Sequence, residues 1–315
     1  MLFSIVIPVF NGEKTIRKAL YSVSNQKNTD FEIIIIDDGS IDNTKTEVEY
    51  FIQEYPNIDI KLISNSNHGR SVSRNIGIIS AQGQYICFLD ADDELKDNHL
   101  TEFKKAIISY PDVNFFFADS EVIRQDDNWA KFSGFLERLL ERGTNWKAEN
   151  EYILFTEGFS YDLALGSLIP MCSTAIRKDL LVMCGLFNPS FSVGEDFELW
   201  FRISLMHRMV AVNKQLSNVY HHEENTSNPK HGYQNIKKSI IVNKYILENT
   251  PNLDDKLRNV FEHKIRNLIS TLLYYSSDVS PLEVVKVMTQ YQIVKNRLVF
   301  HSLKQLFKSM LNKCK

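Results

Sequence analysis

The stretch FEIIIIDDGS, residues 31–40, decides the fold. Its first seven residues are nearly all apolar and β-branched, without the in–out alternation of a strand that has one wet face. Such a run reads as a strand buried on both sides, the signature of a parallel sheet covered by helices. The run closes in two carboxylates, a glycine and a serine, which are turn-forming residues. The same pattern recurs around it. FSIVIPVF (3–10) is a strand running into an Asn11-Gly12 turn, after which Ile16, Leu20 and Val23 fall at helical spacing. Beyond DDGS, Thr44 and Glu47 have the spacing of a capping box ahead of a helix carrying Val48, Phe51, Ile52 and Tyr55. IKLISN (60–65), YICFL (85–89) and VNFFFAD (113–119) are further strands, separated by helical stripes at Val72, Ile76, Ile79 and at Leu100, Phe103, Ile107. This alternation predicts an α/β domain with a doubly wound, mostly parallel, Rossmann-like sheet. In such sheets ligands bind beyond the C-terminal ends of the strands.

Acidic clusters stand at those ends. FLDADD (88–93) puts Asp90, Asp92 and Asp93 where a buried strand leaves the sheet. Carboxylates bunched there repel one another and lose hydration, so a cation between them is expected. Asp oxygens suit Mg²⁺ or Mn²⁺, and Mg²⁺ typically completes its shell from water and a substrate's phosphates. Taken alone, the same pattern also describes a solvated turn. A second cluster opens GEDFELW (194–200). Phe197, Trp200, Phe201 and Leu205 share one helical face, which places Glu195 and Asp196 at that helix's start. Negative charge is favoured there by about 0.3–1 kcal/mol whatever its chemical use.

Between the clusters, residues 120–165 lose the strand–helix rhythm and read as a variable insertion over the site, with Trp129 and Trp146 as candidates for stacking on a substrate. KQLSNVY (214–220) is strand-like and ends in His221 and His222, which on an extended segment point to opposite sides. Polar residues, Pro229 and Gly232 mark a boundary near Asn225–Gly232, giving domains 1–225 and 226–315, the second wholly helical. Residues 284–315 hold Lys and Arg but no Asp or Glu, with Val299, Leu303, Leu306, Phe307 and Met310 on one face. That basic amphipathic helix suits an anionic membrane surface, and equally packing on its own domain or a second copy.

The composition narrows the class. The 315 residues are 43% hydrophobic, enough for a large core, and a net charge of −3 gives no sign of nucleic-acid binding. The four cysteines have no metal-ligand spacing, as expected of thiols in a reducing compartment. No signal peptide or stretch of about 18 apolar residues is evident, so a cytoplasmic protein with at most peripheral membrane contact is expected.

IPVFN (7–11), DDGS (37–40), NHGRSVSRNIGI (67–78), FLDADD and GEDFELW, in that order, resemble the family-2 inverting glycosyltransferases of the GT-A fold, over roughly residues 3–205. The resemblance implies the GT-A fold class, to which the pattern of residues 226–315 adds a helical C-terminal extension, and a cofactor, Mn²⁺ or Mg²⁺. It implies transfer of a hexose-type sugar from a nucleotide-sugar donor, a UDP-sugar favoured, to a hydroxyl of a glycan or lipid-linked glycan in bacterial cell-surface polysaccharide, capsule or lipopolysaccharide assembly. The QxxRW signature of the processive synthases is absent, which points to single addition. By resemblance Pro8, Val9, Asn11, Glu13, Asp38 and Arg70 line the nucleotide, Asp90 contacts ribose or metal, and Asp92 ligates the metal. His222 is a further candidate toward metal or diphosphate, and Asp93 stands behind the ligands. Asp196 is the general base, with Glu195 as the alternative base or as a group that orients the acceptor. Read by itself, Asp38 can accept hydrogen bonds from a uracil imide or ribose hydroxyls, or can make an Asx turn. Arg70 can neutralise a leaving phosphate, and Arg74 can do likewise or pair with a surface acid. Two other readings are a nucleotidyltransferase, which would carry a Gly-rich loop where only Gly12 stands, and a non-catalytic scaffold of the same fold.

Overall fold

The computed structural model describes residues 1–27, 30–124, 134–142, 146–156, 158–166, 169–221 and 232–275. The chain divides into two compact units, Met1–Asn225 and Thr226–Lys315. The first begins β1 (Phe3–Val9), α1 (Ile16–Ser24), β2 (Phe31–Asp37), α2 (Thr44–Glu54), β3 (Asp59–Ser64), α3 (Arg70–Ser80), β4 (Tyr85–Phe88), β5 (Glu94–Leu95), α4 (His99–Ser109) and β6 (Phe115–Arg124). It continues α5 (Phe135–Arg142), β7 (Trp146–Glu149), β8 (Tyr152–Phe155), α6 (Phe159–Leu165), β9 (Thr174–Arg177), α7 (Lys178–Met183), α8 (Glu195–Ser204) and β10 (Met209–His221).

The strands form one sheet in the order β3-β2-β1-β4-β9-β6-β10-β8-β7, with β5 paired to β10. β1 pairs in parallel with β2 and β4, β2 with β3, and β6 with β10. β9 runs antiparallel between β4 and β6, so β1–β4, β6 and β10 all point the same way. Their C-terminal ends therefore share one edge of the sheet, as expected of a GT-A-like sheet. Period-two alternation splits β1 between two cores. Phe3, Ile5, Ile7 and Val9 meet Leu20 of α1, Phe51 of α2 and Phe103 of α4 on one face. Val6 meets Ile78 of α3 and Leu199 and Trp200 of α8 on the other. Gly77 permits the second contact, because a Cβ there would stand 2.3 Å from Val6 Cγ1. α3 thus lies close against β1, with its N-terminus at the site edge.

Two expectations need correction. The capping box does not form. Thr44 is already inside α2, and its hydroxyl donates to Asp42 Oδ1 (2.5 Å) and accepts from Gly12 N (2.8 Å). Nor are residues 120–165 simply an insertion over the site. β6 continues through Arg124, β8 pairs with β10, and Leu136, Leu139, Phe155 and Phe159 are buried in the second core. Four-residue strands are too short to show a period in the sequence. Trp146 packs partly buried against that core, and Trp129 lies outside the described residues.

In the second unit α9 (Gly232–Asn249) and α10 (Asp255–Tyr275) meet through Ile240, Ile269 and Leu272. The basic stretch 284–315 lies outside the described residues. Among the described residues no helix is long and apolar enough to cross a membrane.

Candidate active site

The loops after β1 and β2 are tied together by side chains. Asn11, held at φ +52°, accepts from Ile41 N through Oδ1 (2.9 Å), and its own N–H donates to Ser40 Oγ (2.9 Å). Glu13 Oε2 accepts from the backbone and side-chain nitrogens of Asn43 (3.0 and 3.1 Å). Val9 is buried and its carbonyl accepts from Asp38 N (2.8 Å), while Pro8 sits opposite Ile36 in the β1–β2 register. The DDGS turn is held by Asp37 rather than by an Asx turn at Asp38, since Asp37 Oδ1 accepts from Ser40 N three residues on (3.0 Å). Asp38 is buried and reaches a third loop. Its Oδ1 accepts from Asn65 Nδ2 (2.9 Å) and His68 N (3.0 Å), and its Oδ2 from Gly69 N (2.8 Å). Gly69, at φ +89°, then launches α3, whose first residue, Arg70, is exposed. Three accepted bonds occupy most of the carboxylate's lone pairs and leave room for about one more partner.

The turn at Asp90 and the start of α8 at Glu195 meet through Arg74, which the sequence pattern alone offers as a solvated arginine or a partner for a surface acid. Arg74 is almost fully buried. Its Nη2 donates to Asp90 Oδ1 (2.7 Å) and its Nη1 to Glu195 Oε1 (2.8 Å). Burial of the guanidinium opposes its charge, but the two carboxylates overcome this and hold its pKa above the ordinary value. Burial likewise opposes the charge of Asp90, yet Arg74 and then Arg70 hold its carboxyl below the usual range. Asp93 behaves oppositely. Burial, then the charges of Asp90 and Asp92, push it well above the carboxylate range. Its Oδ1 accepts from Tyr220 N (3.0 Å), which anchors the end of β10, and so His221, beside the acidic turn. His222 lies outside the described residues.

Gly194, at φ +74°, precedes α8, and Glu195 and Asp196 occupy its first turn. Burial raises Asp196 to about 6, with the charge of Glu195 adding to the rise and the N–H of Phe197 opposing it. Glu195 is buried and bound to Arg74, whereas Asp196 is half-buried. Trp200 and Phe201 are in the core, as the helical face requires.

A family model for glycosyl transferase family 2 matches residues 4–180, more than half of the chain. The chain belongs to glycosyltransferase family 2. Among relatives, the UDP-Glc:alpha-D-GlcNAc-diphosphoundecaprenol beta-1,3-glucosyltransferase WfgD of Escherichia coli is 33% identical over 213 residues, 67% of this chain and 73% of that one. The chain spans about a quarter of the length of other curated relatives that it matches. S. aureus TarS 1–349 in complex with UDP-GlcNAc superimposes at a TM-score of 0.64 and 17% identity, over 92% of this chain and 80% of that one. The mannosyltransferase PcManGT of Pyrobaculum calidifontis, in complex with GDP-Man and Mn²⁺, gives 0.60 and 14%, over 98% and 86%. At these identities the two structures speak for the fold alone.

The PcManGT structure holds Mn²⁺, and whether this chain suits such a cation rests on the chemistry of its own acidic turn. Among the described residues no three His, Cys, Asp or Glu side chains are grouped as a protein-only metal cage. Asp90 and Asp92, two residues apart on the turn after β4, suit a hard cation that completes its shell from water and a diphosphate. Sequence reasoning also missed a buried hydroxyl cluster behind this turn. Ser217 Oγ lies 2.7 Å from Ser120 Oγ and 2.6 Å from Ser173 Oγ, and Cys172 Sγ donates to it (3.3 Å). Two serines on different strands and a third in the turn before β9 give no local signal. A cavity of about 680 Å³, lined by Asp119, Glu137, Glu141, Asn213 and Gln215 among others, contains none of the nucleotide candidates. Its carboxylates would repel a diphosphate.

Proposed function

We propose that the protein is a metal-dependent, inverting, single-addition glycosyltransferase. It would move a sugar from a nucleotide-sugar donor to a hydroxyl of a glycan or lipid-linked glycan in cell-surface polysaccharide assembly. The observation that carries this reading is the meeting of the DADD turn and the start of α8 on Arg74. One side chain thus joins the turn proposed to hold the donor to the helix start proposed to carry the base.

The loops of Asn11, Glu13 and Asp38 receive the nucleotide, with the remaining acceptor capacity of Asp38 directed to base or ribose. Asp90 and Asp92 would hold Mn²⁺ or Mg²⁺, which would neutralise charge on the leaving diphosphate. Arg70, whose charge already acts on Asp90, adds to that field. Asp196 takes the acceptor hydroxyl's proton as that oxygen forms its bond to the anomeric carbon. The bond to the diphosphate breaks on the opposite face and its electron pair leaves with the phosphate, so the configuration inverts. A pKa near 6 suits a base that works near neutral pH. Glu195, engaged by Arg74, is better placed to orient than to accept a proton.

The name of WfgD, which pairs UDP-glucose with a diphosphoundecaprenol acceptor, and the UDP-GlcNAc bound to TarS favour a uridine donor and a lipid-linked acceptor. Such an acceptor would put the enzyme at the cytoplasmic face of the membrane, with the basic stretch 284–315 as the contact. The test is thermal shift with UDP-, GDP- and dTDP-sugars, with and without Mn²⁺. A ligand at 100 times its Kd stabilises the fold by about 2.7 kcal/mol. No shift with any nucleotide in the presence of metal would sink the donor-binding reading. Pyrophosphate release from a nucleoside triphosphate would favour the nucleotidyltransferase instead.

A further inference from the structure

Helix α3 joins three parts of the site: the Asp38 loop, the Asp90 turn and the start of α8. Its N-terminal loop is held by Asp38 through His68 N and Gly69 N. Its body grips the segment that leads into α8. Ser71 Oγ donates to Phe191 O (2.7 Å), and Asn75 clamps Phe187, donating from Nδ2 to its carbonyl (2.8 Å) and accepting its N–H (3.0 Å). Arg74 lies between these two grips, its Cζ 5.7 Å from the Phe187 ring centroid. One terminal nitrogen reaches Asp90, 16 residues away, and the other Glu195, 121 residues away.

We propose that Arg74 is a positioning residue that sets the spacing between the donor-binding turn at Asp90 and the base-bearing start of α8. The proposal rests on the glycosyltransferase reading above. A guanidinium is a planar, rigid fork whose nitrogens have a fixed separation, so two carboxylates on its two prongs are fixed relative to each other. A lysine ammonium is a point charge on a flexible stem and can hold one of them firmly but not both at the same spacing. A buried ion pair is weak evidence for stability, because apolar residues of similar volume are often as stable. A buried cation placed where the two acidic motifs meet is therefore better explained by geometry than by stability. Displacing reacting groups by about 1 Å can cost a hundredfold in rate.

The experiment compares the wild-type protein with Arg74→Lys and with the double variant S71A/N75A, which loosens the same segment without removing charge. UDP binding with Mn²⁺ is measured by calorimetry, and kcat and KM with the donor found by the thermal-shift screen. Arg74→Lys is expected to bind UDP within about threefold of wild type while kcat falls on the order of a hundredfold. S71A/N75A is expected to lose kcat on the order of tenfold, again with UDP binding kept. An Arg74→Lys protein with a lowered melting temperature but unchanged kcat below it would make the residue merely structural and overturn the proposal. Loss of UDP binding along with kcat would overturn it too, by placing Arg74 in the donor site itself. Should Arg74→Lys not fold, unchanged kcat in S71A/N75A is the overturning result. Absence of binding of UDP, GDP and dTDP alike in the wild type would instead remove the glycosyltransferase reading, and this proposal with it.

Discussion

Replacing Asp196 by Asn should abolish transfer and at the same time make the protein more stable at neutral pH. A rise from the ordinary aspartate value of 3.8 to about 6 corresponds to roughly 3 kcal/mol held against the ionised side chain in the fold. The site is half-buried, so solvent screens part of this, and the expected gain is about 1–3 kcal/mol. For a unit of about this size that is roughly 3–10 °C in melting temperature. The pH dependence has a definite sign. Because the folded pKa lies above the unfolded one, the folded state binds more protons between about pH 4 and 6. Wild-type stability therefore falls as pH rises through that window, and the full cost is present above it. The assay is thermal denaturation of both proteins at pH 4 and pH 8, without nucleotide or divalent cation, alongside turnover at pH 8. The variant should be the more stable at pH 8, the difference should shrink toward pH 4, and kcat should drop by about 10²–10⁴. The wild-type rate should itself fall as pH drops below about 6, as Asp196 takes up a proton. A variant no more stable than wild type at pH 8 would refute the electrostatic account of Asp196, and full turnover would remove it as the base.

Two further outcomes separate neighbouring carboxylates by role. Burial and the charges of Asp90 and Asp92 disfavour the ionised form of Asp93, so the neutral amide of Asp93→Asn should keep the Tyr220 contact and most of the activity, whereas Asp92→Asn should lose the Mn²⁺-dependent thermal shift with UDP. Equal loss in both would contradict this division. Asp38→Ala leaves His68 N and Gly69 N without their carboxylate, which should cost about 1–3 kcal/mol and open residues 65–69 to proteolysis. An unchanged melting temperature would show that Asp38 does not hold that loop.

The parts of this architecture carried by local pattern could be read from the sequence. The apolar run 31–37 lies buried between parallel neighbours, and the acidic clusters stand at strand and helix ends. Arg74 could not be assigned this way, since an arginine on a helix reads as solvated until partners 16 and 121 residues distant are known. The DDGS turn was legible, but not its division of labour, because Asp37 and Asp38 are chemically identical and only the third loop distinguishes them. Thr44 had cap spacing, yet a competing acceptor, Asp42, two residues earlier moved the start of α2. β7 and β8 were hidden by shortness, and they are strands because β10 offers an edge to pair with.

The cross-tied loops behind Asn11, Glu13 and Asp38 have a kinetic consequence. Each is fastened to another loop by side-chain bonds, so the mouth proposed for the nucleotide is already shaped. A preformed mouth loses little conformational freedom on occupation, so the gross attraction between donor and protein is retained as affinity. Donor capture should then follow simple bimolecular encounter, with an observed rate linear in donor concentration and no plateau from a slow ordering step. It follows too that a change of donor would be made by exchanging side chains on a fixed frame, with the frame itself left in place.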